Sequence, residues 1–157
     1  MSISDSQQPQ IWAEELVAGE VYELGAYTLT SGQITGFAAE WDPLPLHVSQ
    51  ASAADSAFGT LIASGLQTLA VYQRLVVTTV ISQWRIFAGR RLLEVKFLRP
   101  VRPGDMLIGG MRIDSVEFTH PDRALITSSG WLDIDGSRAL ELQTESYVSR
   151  RPADASE

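Results

Sequence analysis

One long apolar helix, followed only by closely spaced strands, is the feature that most limits how this chain can fold. Between Leu66 and about Ser82, apolar residues occupy most of the circumference of a predicted helix, and Ser64 is placed to cap it. A helix that is apolar nearly all round is expected to be buried rather than to lie on a surface. The rest of the chain must therefore supply elements that surround this helix.

The second half of the chain supplies those elements, because every segment after Gly89 has a strand-like pattern. His120-Pro121-Asp122 and Asp135-Gly136 stand where tight turns are needed. Such short connections favour antiparallel neighbours over crossover units. The predicted strands are Leu92–Leu98, Met106–Phe118, Ala124–Ile134 and Ala139–Ser149, and residues 83–90 are predicted to form a loop.

The first half is predicted to contain one strand and two short helices. Val21–Leu29 is close to the alternation of a strand, and Thr30 with Gln33 has the spacing of a capping box that opens a helix. The prolines of Asp42-Pro43-Leu44-Pro45 end that helix, and Ser49 is placed to cap a second, alanine-rich one. The whole order predicts an α+β fold in which a curved antiparallel sheet wraps one central helix.

The length of 157 residues suits one domain, which we predict to span residues 11–149 between loose tails at 1–10 and 150–157. The chain has no cysteine, which excludes a disulfide framework, a thiolate metal site and a cysteine nucleophile. His47 and His120 are too few for a multi-histidine metal site. We expect neither a metal nor a cofactor. An exposed edge of the single predicted sheet also makes dimerisation plausible.

The net charge of −7 argues against a general nucleic-acid binder. The chain is nevertheless basic in its middle, since residues 74–102 hold seven bases and one acid. That segment indicates either an anionic ligand or a solvated arginine face. No apolar run approaches the roughly 20 residues that span a bilayer, and the polar N-terminus does not resemble a signal peptide. We therefore expect a cytoplasmic protein with no membrane partner.

Asp42 and His47 form the first pair of residues that points to chemistry. They lie five positions apart with Pro43 and Pro45 between them, and the fixed φ of proline stiffens the connection. A carboxylate and an imidazole held around one small site can share a water and act as base and acid. The spacing alone leaves open that Asp42 only ends a helix and that His47 is a packed histidine.

The start of the long helix is the second such feature, and Phe58-Gly59-Thr60-Leu61-Ile62-Ala63-Ser64-Gly65-Leu66 leads into it. A helix N-terminus offers unpaired N–H groups and a partial positive charge. Because Gly65 has no side chain, a ligand oxygen can approach its N–H closely, which would stabilise an enolate or a thioester oxyanion. The alternative is that Ser64 only caps the helix and Gly65 only permits close packing.

These two segments and a third, Leu93–Asp105, occur in the same order in the MaoC-like acyl dehydratases, also called (R)-specific enoyl-CoA hydratases, which have the hotdog fold. Asp42-Pro43-Leu44-Pro45-Leu46-His47 resembles the family's D-x-N-P-[LIV]-H at Asp, Pro, Leu and His. Residues 58–65 resemble F-G-x-x-I-A-[HS]-G, and residues 95–105 resemble V-x-F-x-x-P-V-x-P-G-D. The resemblance covers about residues 12–149.

The resemblance implies roles for particular residues. Asp42 and His47 would position the water that adds to the enoyl double bond or leaves in the reverse reaction, and the N–H of Gly65 would hold the thioester oxygen. We expect Gly65, Ser64, Leu44 and Phe58 to contact the substrate, an acyl-CoA or acyl carrier protein thioester. The family also implies a homodimer or a dimer of dimers. The candidates for contacts to the phosphates of coenzyme A are Arg90, Arg91, Arg99 and Arg102.

The chain departs from the family pattern at two positions beside the predicted site. Leu44 replaces the family's Asn, and Trp41 replaces the Gly that often precedes the Asp. These replacements predict a more apolar, narrower pocket and leave the acyl group open. Two other functions remain as alternatives: a hotdog thioesterase, in which a carboxylate activates water against the thioester carbonyl, and a non-catalytic module that binds an acyl-CoA or only a partner subunit.

Overall fold

Five antiparallel strands form one sheet in the order β1-β3-β4-β5-β2, and a long helix, α4, packs across one face of it. The structure is a computed structural model, and it describes residues 8–153. The strands are β1 Val21–Thr28, β2 Ile86–Phe97, β3 Met106–Glu117, β4 Arg123–Ile134 and β5 Ser137–Ser149. The helices are α1 Ser31–Trp41, α2 Pro45–Val48, α3 Gln50–Ala54 and α4 Gly65–Thr79, with short 3-10 helices at Ala13–Glu15 and Ile81–Gln83.

Side-chain caps begin the helices at the positions that the sequence predicts. Thr30 Oγ1 accepts from the Gln33 N–H at 3.1 Å, and Gln33 Oε1 accepts from the Thr30 N–H at 2.9 Å. This capping box satisfies two of the N–H groups that a helix start leaves unpaired. Ser49 caps α3 in the same way, by accepting from the Ser52 N–H at 3.2 Å.

The core lies between α4 and the sheet, and two sheet glycines allow the helix to come close. A Cβ built on Gly109 would lie 3.1 Å from Leu75 of α4, and one built on Gly130 would collide with the ring and hydroxyl of Tyr72. A larger residue at either position would push the helix off the sheet, because packed cores cannot absorb added atoms freely. The sheet thereby fixes the position of α4 and of the residues at its first turn.

The predicted loop over residues 83–90 is wrong from Ile86 onward, because β2 already begins there. Ile86 pairs with Val148 and Ala88 with Tyr147 of β5, so the edge strand is extended by pairing that its own sequence pattern does not reveal. The register shifts between Gly89 and Arg91, which is typical of a bulge in an edge strand. Pairing with β5 therefore makes this segment a strand, although apolar and polar residues do not alternate along it.

The expectation that α4 is buried nearly all round is also wrong for the described chain. One side of the helix faces the core through residues such as Val71 and Tyr72, but Leu66 and Ala70 on the other side are exposed. The helix ends at Thr79, and residues 81–83 continue as a 3-10 turn. Of the short helices in the first half of the chain, α1 packs against α4.

The predicted tails lie partly outside the described residues, namely 1–7 and 154–157. Of the remainder, the Gln10 N–H donates to the Gln83 carbonyl at 3.0 Å, and the Arg150 N–H donates to the Asp122 carbonyl at 2.9 Å. The boundaries of the domain at 11 and 149 stay a prediction. Between residues 8 and 153, no helix combines the length and the hydropathy that crossing a membrane requires.

Candidate active site

Asp42 stands at the C-terminal end of α1, where the helix stops and the chain turns. Its N–H still donates to the Ala38 carbonyl at 2.9 Å, so the residue is fixed by the last turn of the helix. The next residue, Pro43, cannot continue the helix because it has no N–H. The Asp42 side chain is about one-quarter exposed, at 26%. The carboxylate is thus held at a rigid corner with one side open.

His47 lies in α2, a single helical turn in place of the predicted stiff, proline-spaced connection. Pro45 occupies the first helical position, where the missing N–H costs nothing, so this proline starts a helix. The imidazole is buried, and its Nδ1 lies 2.7 Å from the carbonyl oxygen of Ile62. A carbonyl oxygen only accepts, so Nδ1 carries a proton in this arrangement. The ring is thereby oriented with Nε2 toward Asp42.

The two predicted catalytic side chains meet, with His47 Nε2 3.6 Å from Asp42 Oδ2. In a neutral imidazole protonated at Nδ1, Nε2 is an acceptor, and so is the carboxylate oxygen. Two acceptors at this distance do not hydrogen-bond to each other. A water in front of them can donate one proton to each, which is the arrangement that a bound nucleophilic water requires.

Ser64 joins this pair from the start of α4. Its hydroxyl donates to Asp42 Oδ2 at 2.6 Å and accepts from the Leu66 N–H at 3.3 Å, and the side chain is fully buried. The cap of α4 is therefore also the support of the Asp42 carboxylate. A single hydroxyl links the N-terminus of the central helix to the C-terminus of α1.

Gly65, the first residue of α4, lies under the aromatic ring of Phe97. A Cβ built on Gly65 would stand 2.9 Å from two atoms of that ring, so only glycine fits without moving it. Among residues 8–153, no hydrogen-bond acceptor is found for the Gly65 N–H. The amide is therefore available to an oxygen of a bound molecule.

These groups line one cavity of about 490 Å³. Asp42, His47, Ser64 and Gly65 all contribute to its wall, and so does Phe58. Leu44 does not line it and is about half exposed, so the structure brings together all the predicted site residues except Leu44. The remaining wall is mostly apolar, with Ile62, Ala63, Leu66, Phe97, Leu98, Pro100 and Val101.

The four predicted phosphate contacts do not share one site, and Arg102 is exposed and does not line the cavity. Arg90 and Arg91 both donate to the buried carboxylate of Glu145, with Arg91 bidentate at 2.9 and 2.8 Å. The bonds from Arg91 and Arg90 lower the pKa of Glu145, against a rise from desolvation. Arg99 instead lines the cavity that contains Asp42 and His47, and it donates to the Ile134 carbonyl at 3.1 Å.

Sequence reasoning missed three contributors to the site. The Ile62 backbone carbonyl orients His47, and a motif made of side chains cannot predict a contact to a backbone group. Phe97 belongs to a predicted strand, and nothing in the sequence indicates that its ring lies over Gly65. Thr68, a buried polar residue of α4, also lines the cavity. Because α4 carries several polar residues, the sequence alone does not single out Thr68.

The polar groups at the cavity wall are proton donors and acceptors. Within the described part of the chain, no three His, Asp or Glu side chains come together as metal ligands. The cavity places a carboxylate, an imidazole and a free amide N–H around one space with apolar walls. Such a set can hold a water, move a proton and stabilise negative charge on an oxygen.

Comparison with known proteins gives a consistent result. The family model described as "MaoC like domain" matches residues 15–121. The uncharacterized protein YdeM of Bacillus subtilis is 33% identical over 94 residues, which are 60% of this chain and 67% of that protein.

Solved structures extend the likeness to the whole fold. The MaoC-like dehydratase from Rhodospirillum rubrum has a TM-score of 0.81 and 29% identity, covering 91% of this chain and 99% of that chain. The (R)-hydratase from A. caviae involved in PHA biosynthesis has a TM-score of 0.69 and 22% identity, covering 88% and 99%. The predicted resemblance and the predicted α+β hotdog fold, a sheet around one central helix, are confirmed.

Proposed function

The chain belongs to the MaoC-like domain family, and from this premise we propose that it is a hydratase or dehydratase acting on an enoyl or 3-hydroxyacyl thioester. The observation that carries the proposal is the pair of acceptors, His47 Nε2 and Asp42 Oδ2, set 3.6 Å apart in the cavity where the Gly65 N–H is free. These groups match the three needs of the reaction: a held water, a proton carrier and a site for developing negative charge.

In the hydration direction, the water oxygen forms a bond to Cβ of the enoyl thioester. The π electrons of the double bond move through Cα onto the thioester oxygen, which becomes an enolate oxygen. The Asp42–His47 pair accepts one proton from the water and returns one proton to Cα, so the product is a 3-hydroxyacyl thioester. Dehydration follows the same steps in reverse.

The Gly65 N–H is the proposed donor to the enolate oxygen. It lies at the start of α4, where the partial charge of the helix N-terminus adds to the hydrogen bond. The ring of Phe97 lies so close to Gly65 that a Cβ built there would be 2.9 Å from it, so a side chain at this position would displace the ring. The amide is fixed before substrate arrives, so no reorganisation is needed as charge develops.

Ser64 and Ile62 act as positioning groups. The Ser64 hydroxyl fixes one carboxylate oxygen of Asp42, and the Ile62 carbonyl fixes the tautomer and orientation of His47. Both groups can affect the rate without touching the substrate, because a water held between Asp42 and His47 stays in place only if both acceptors are fixed. We assign Ser64 this role in addition to the predicted contact with substrate.

The carrier of the acyl group is proposed to be coenzyme A or acyl carrier protein, both of which bear a phosphate near the thioester arm. Arg99 at the cavity wall is the proposed anion contact there, and no carboxylate among residues 8–153 lies within 4.0 Å of it. We further propose a homodimer or dimer of dimers, since the outer edge of β2 is unpaired within the described chain. Phe87 and Leu92 are exposed on this strand. A cytoplasmic location stays a prediction.

An assay with crotonyl-CoA and longer enoyl-CoAs tests the proposal. Loss of the conjugated absorbance without release of free thiol is the expected result. Thiol release would support a thioesterase instead, and ligand binding without either change would support a non-catalytic module. His120→Ala is a matched control for the variants of His47, because His120 lies in the turn between β3 and β4, far along the chain from α2.

A further inference from the structure

One polar group in the wall of the cavity that contains Asp42 and His47 has no part in the reaction proposed above, and this is the hydroxyl of Thr68. The residue lies on α4, one helical turn after Gly65, and is buried, with 3% of its surface exposed. The other polar residues of the wall already have a proposed use in the reaction or in binding the carrier: Asp42, His47, Ser64, Gly65 and Arg99. Thr68 is therefore a polar group of the cavity that the proposed function leaves unexplained.

The hydrogen bond that Thr68 makes within the protein is long. Its Oγ1 lies 3.4 Å from the Ser64 carbonyl oxygen, beyond the range of about 2.5–3.0 Å that is usual for a hydroxyl donor. The same carbonyl oxygen also accepts from the N–H groups of Gln67 at 3.0 Å and of Thr68 at 3.1 Å. The Thr68 hydroxyl can therefore exchange this contact for a better partner in the cavity.

Thr78, on the same helix, makes the corresponding bond in a more usual way. Its hydroxyl donates to the Arg74 carbonyl, also four residues earlier in the chain, at 2.8 Å, and the residue is exposed. An exposed hydroxyl can also bond to water, whereas a buried one depends on the groups around it. Thr68 combines burial with a long bond, which is unfavourable unless a bound molecule supplies a partner.

The surroundings of Thr68 indicate what kind of molecule this is. The rest of the cavity wall is mainly apolar, so a substrate made only of carbon and hydrogen beyond the thioester would be matched better by an apolar side chain at this position. Valine has the shape of threonine without its hydroxyl. The presence of threonine therefore favours an acyl group that carries a hydrogen-bonding group of its own.

The position of Thr68 indicates where on the acyl group that partner lies. Thr68 and Gly65 line the same cavity, and residues three apart on a helix are neighbours, with about 5–6 Å between their Cβ positions. Side chains of a helix lean toward its N-terminus, and the contact of Thr68 with the Ser64 carbonyl shows this lean. A group only a few bonds from a thioester carbonyl at Gly65 therefore lies within reach of Thr68.

We propose that Thr68 determines substrate specificity by binding a hydroxyl group on C4 or C5 of the acyl chain, the first two carbons beyond the double bond. The inference rests on the proposed function, which places the thioester oxygen at the Gly65 N–H and the reacting water at Asp42 and His47. The threonine hydroxyl and the substrate hydroxyl can each donate and accept, so the two groups can bond to each other in the apolar part of the cavity.

Two pairs of thioesters of matched size test this. The first pair is trans-4-hydroxy-2-butenoyl-CoA and trans-2-pentenoyl-CoA, and the second is trans-5-hydroxy-2-pentenoyl-CoA and trans-2-hexenoyl-CoA. In each pair, a hydroxyl group replaces the terminal methyl group. The measured quantity is the ratio of kcat/KM between the hydroxylated and the methyl member, in the native protein and in Thr68→Val. Comparing one ratio between two proteins cancels the difference in intrinsic reactivity of the thioesters.

In at least one pair, we expect this ratio to be about fivefold higher in the native protein than in Thr68→Val, which corresponds to about 1 kcal/mol for one neutral hydrogen bond. Thr78→Val is the matched control, because it removes a hydroxyl with the same type of bond from the same helix at a position outside the cavity wall. It should keep the native ratios. If Thr68→Val does not fold, Thr68→Ser and Thr68→Ala replace it: serine should keep the native ratio and alanine should lose it.

Native ratios in the variant that lacks the Thr68 hydroxyl would overturn the inference. This holds even if the rates of all four thioesters fall together, because Thr68 would then contact a part that they share, such as the arm of the carrier. A ratio that falls equally in Thr78→Val would overturn it as well, since the effect would then not come from the cavity.

The same compounds separate this inference from the proposed function. If the thioesters are hydrated with ratios that do not depend on Thr68, the specificity assignment fails and the reaction stands. If none of the four is hydrated, the reaction fails, and titration calorimetry can measure their Kd values directly. A ratio of Kd values that favours the hydroxylated member and is lost in Thr68→Val would then support Thr68 as a binding residue, whereas an unchanged ratio, or no binding, would overturn that assignment too.

Discussion

Asp42 and Glu145 are two acidic side chains that line cavities in this protein, and they are held in opposite ways. Glu145, on β5, accepts from the guanidinium groups of both Arg90 and Arg91. Asp42 accepts from one neutral hydroxyl, that of Ser64, and faces His47 at 3.6 Å. The first carboxylate has its charge compensated by fixed cations, whereas the second has its charge available to a water and an imidazole.

The difference fits the proposed roles, a structural acid at Glu145 and a reacting acid at Asp42. A carboxylate bonded to two arginines is stabilised in its ionised form, which is what the lowered pKa of Glu145 records, and such an acid gives and takes protons poorly near neutral pH. A carboxylate that accepts one hydrogen bond from a serine hydroxyl still has lone pairs that can accept a hydrogen bond from a water. The comparison predicts that changes at the two sites affect different properties: activity at Asp42 and stability at Glu145.

The largest effect is expected at the catalytic pair. Asp42→Asn and His47→Ala should each reduce hydration of an enoyl-CoA by on the order of a hundredfold or more. Asn keeps an acceptor oxygen but cannot take a proton as a carboxylate can, and Ala removes both the acceptor nitrogen and the proton carrier. Circular dichroism and the melting temperature should show an intact fold. If both variants hydrate the enoyl-CoA at the native rate, the catalytic assignment of Asp42 and His47 is wrong. Asp42 and Glu145 would then show no difference in function.

A smaller effect on activity, combined with an effect on stability, is expected at Ser64. Ser64→Ala removes the donor to Asp42 Oδ2 and the acceptor for the Leu66 N–H, and it should lower kcat by about tenfold. Loss of the cap should also lower the free energy of unfolding by about 1 kcal/mol. Ser64→Thr keeps a hydroxyl and should recover part of the activity if it fits the buried site.

The control for Ser64 is Ser49, whose hydroxyl caps α3 by accepting from the Ser52 N–H. Ser49→Ala should lower stability by a similar amount and leave kcat at the native value. If both serine variants lose activity equally, Ser64 acts only through the stability of the fold. Urea unfolding and steady-state kinetics on the same preparations give both quantities.

The sequence predicts which residues belong to the candidate site better than it predicts which of them contact one another. The Asp42–His47 spacing and Gly65 at a helix start are local patterns, so residues and family resemblance place them well. The bond from Ser64 to Asp42 joins positions 22 apart, and the position of Phe97 over Gly65 depends on where β2 lies in the sheet. Contacts of this kind follow from tertiary packing, which no local pattern encodes.

The edge strand shows the same limit at the level of the fold. The Gly89-Arg90-Arg91 segment does not alternate, so it predicts a loop, yet it pairs with β5 and delivers two arginines to Glu145. The partner residue lies more than 50 positions away in the sequence. In the basic middle of the chain, Arg90 and Arg91 therefore bind Glu145, and Arg99 donates to the Ile134 carbonyl. An anionic ligand for this segment stays a prediction.

The smallest expected effect on activity is at Glu145, where a change should act on stability alone. Glu145→Gln removes the charge that Arg90 and Arg91 bind, so the melting temperature at neutral pH should fall while kcat keeps its native value. Since the folded protein lowers the pKa of Glu145, this contribution is present above the unfolded value of about 4.3 and is lost as pH falls through the folded value. The difference in stability between native and variant should therefore shrink on acidification.

Glu141→Gln provides the matched control for that experiment, because Glu141 lies on the same strand with only a 3.8 Å contact to Arg138. An exposed pair of this kind contributes little, so this variant should melt close to the native protein at every pH. If Glu145→Gln and Glu141→Gln follow the same pH profile, the two arginines do not fix Glu145 in its ionised form. The proposed difference between the two acids would then lose its basis in their hydrogen-bond donors, a neutral hydroxyl for Asp42 and two guanidinium groups for Glu145. Only their burial and their positions in the fold would still distinguish them.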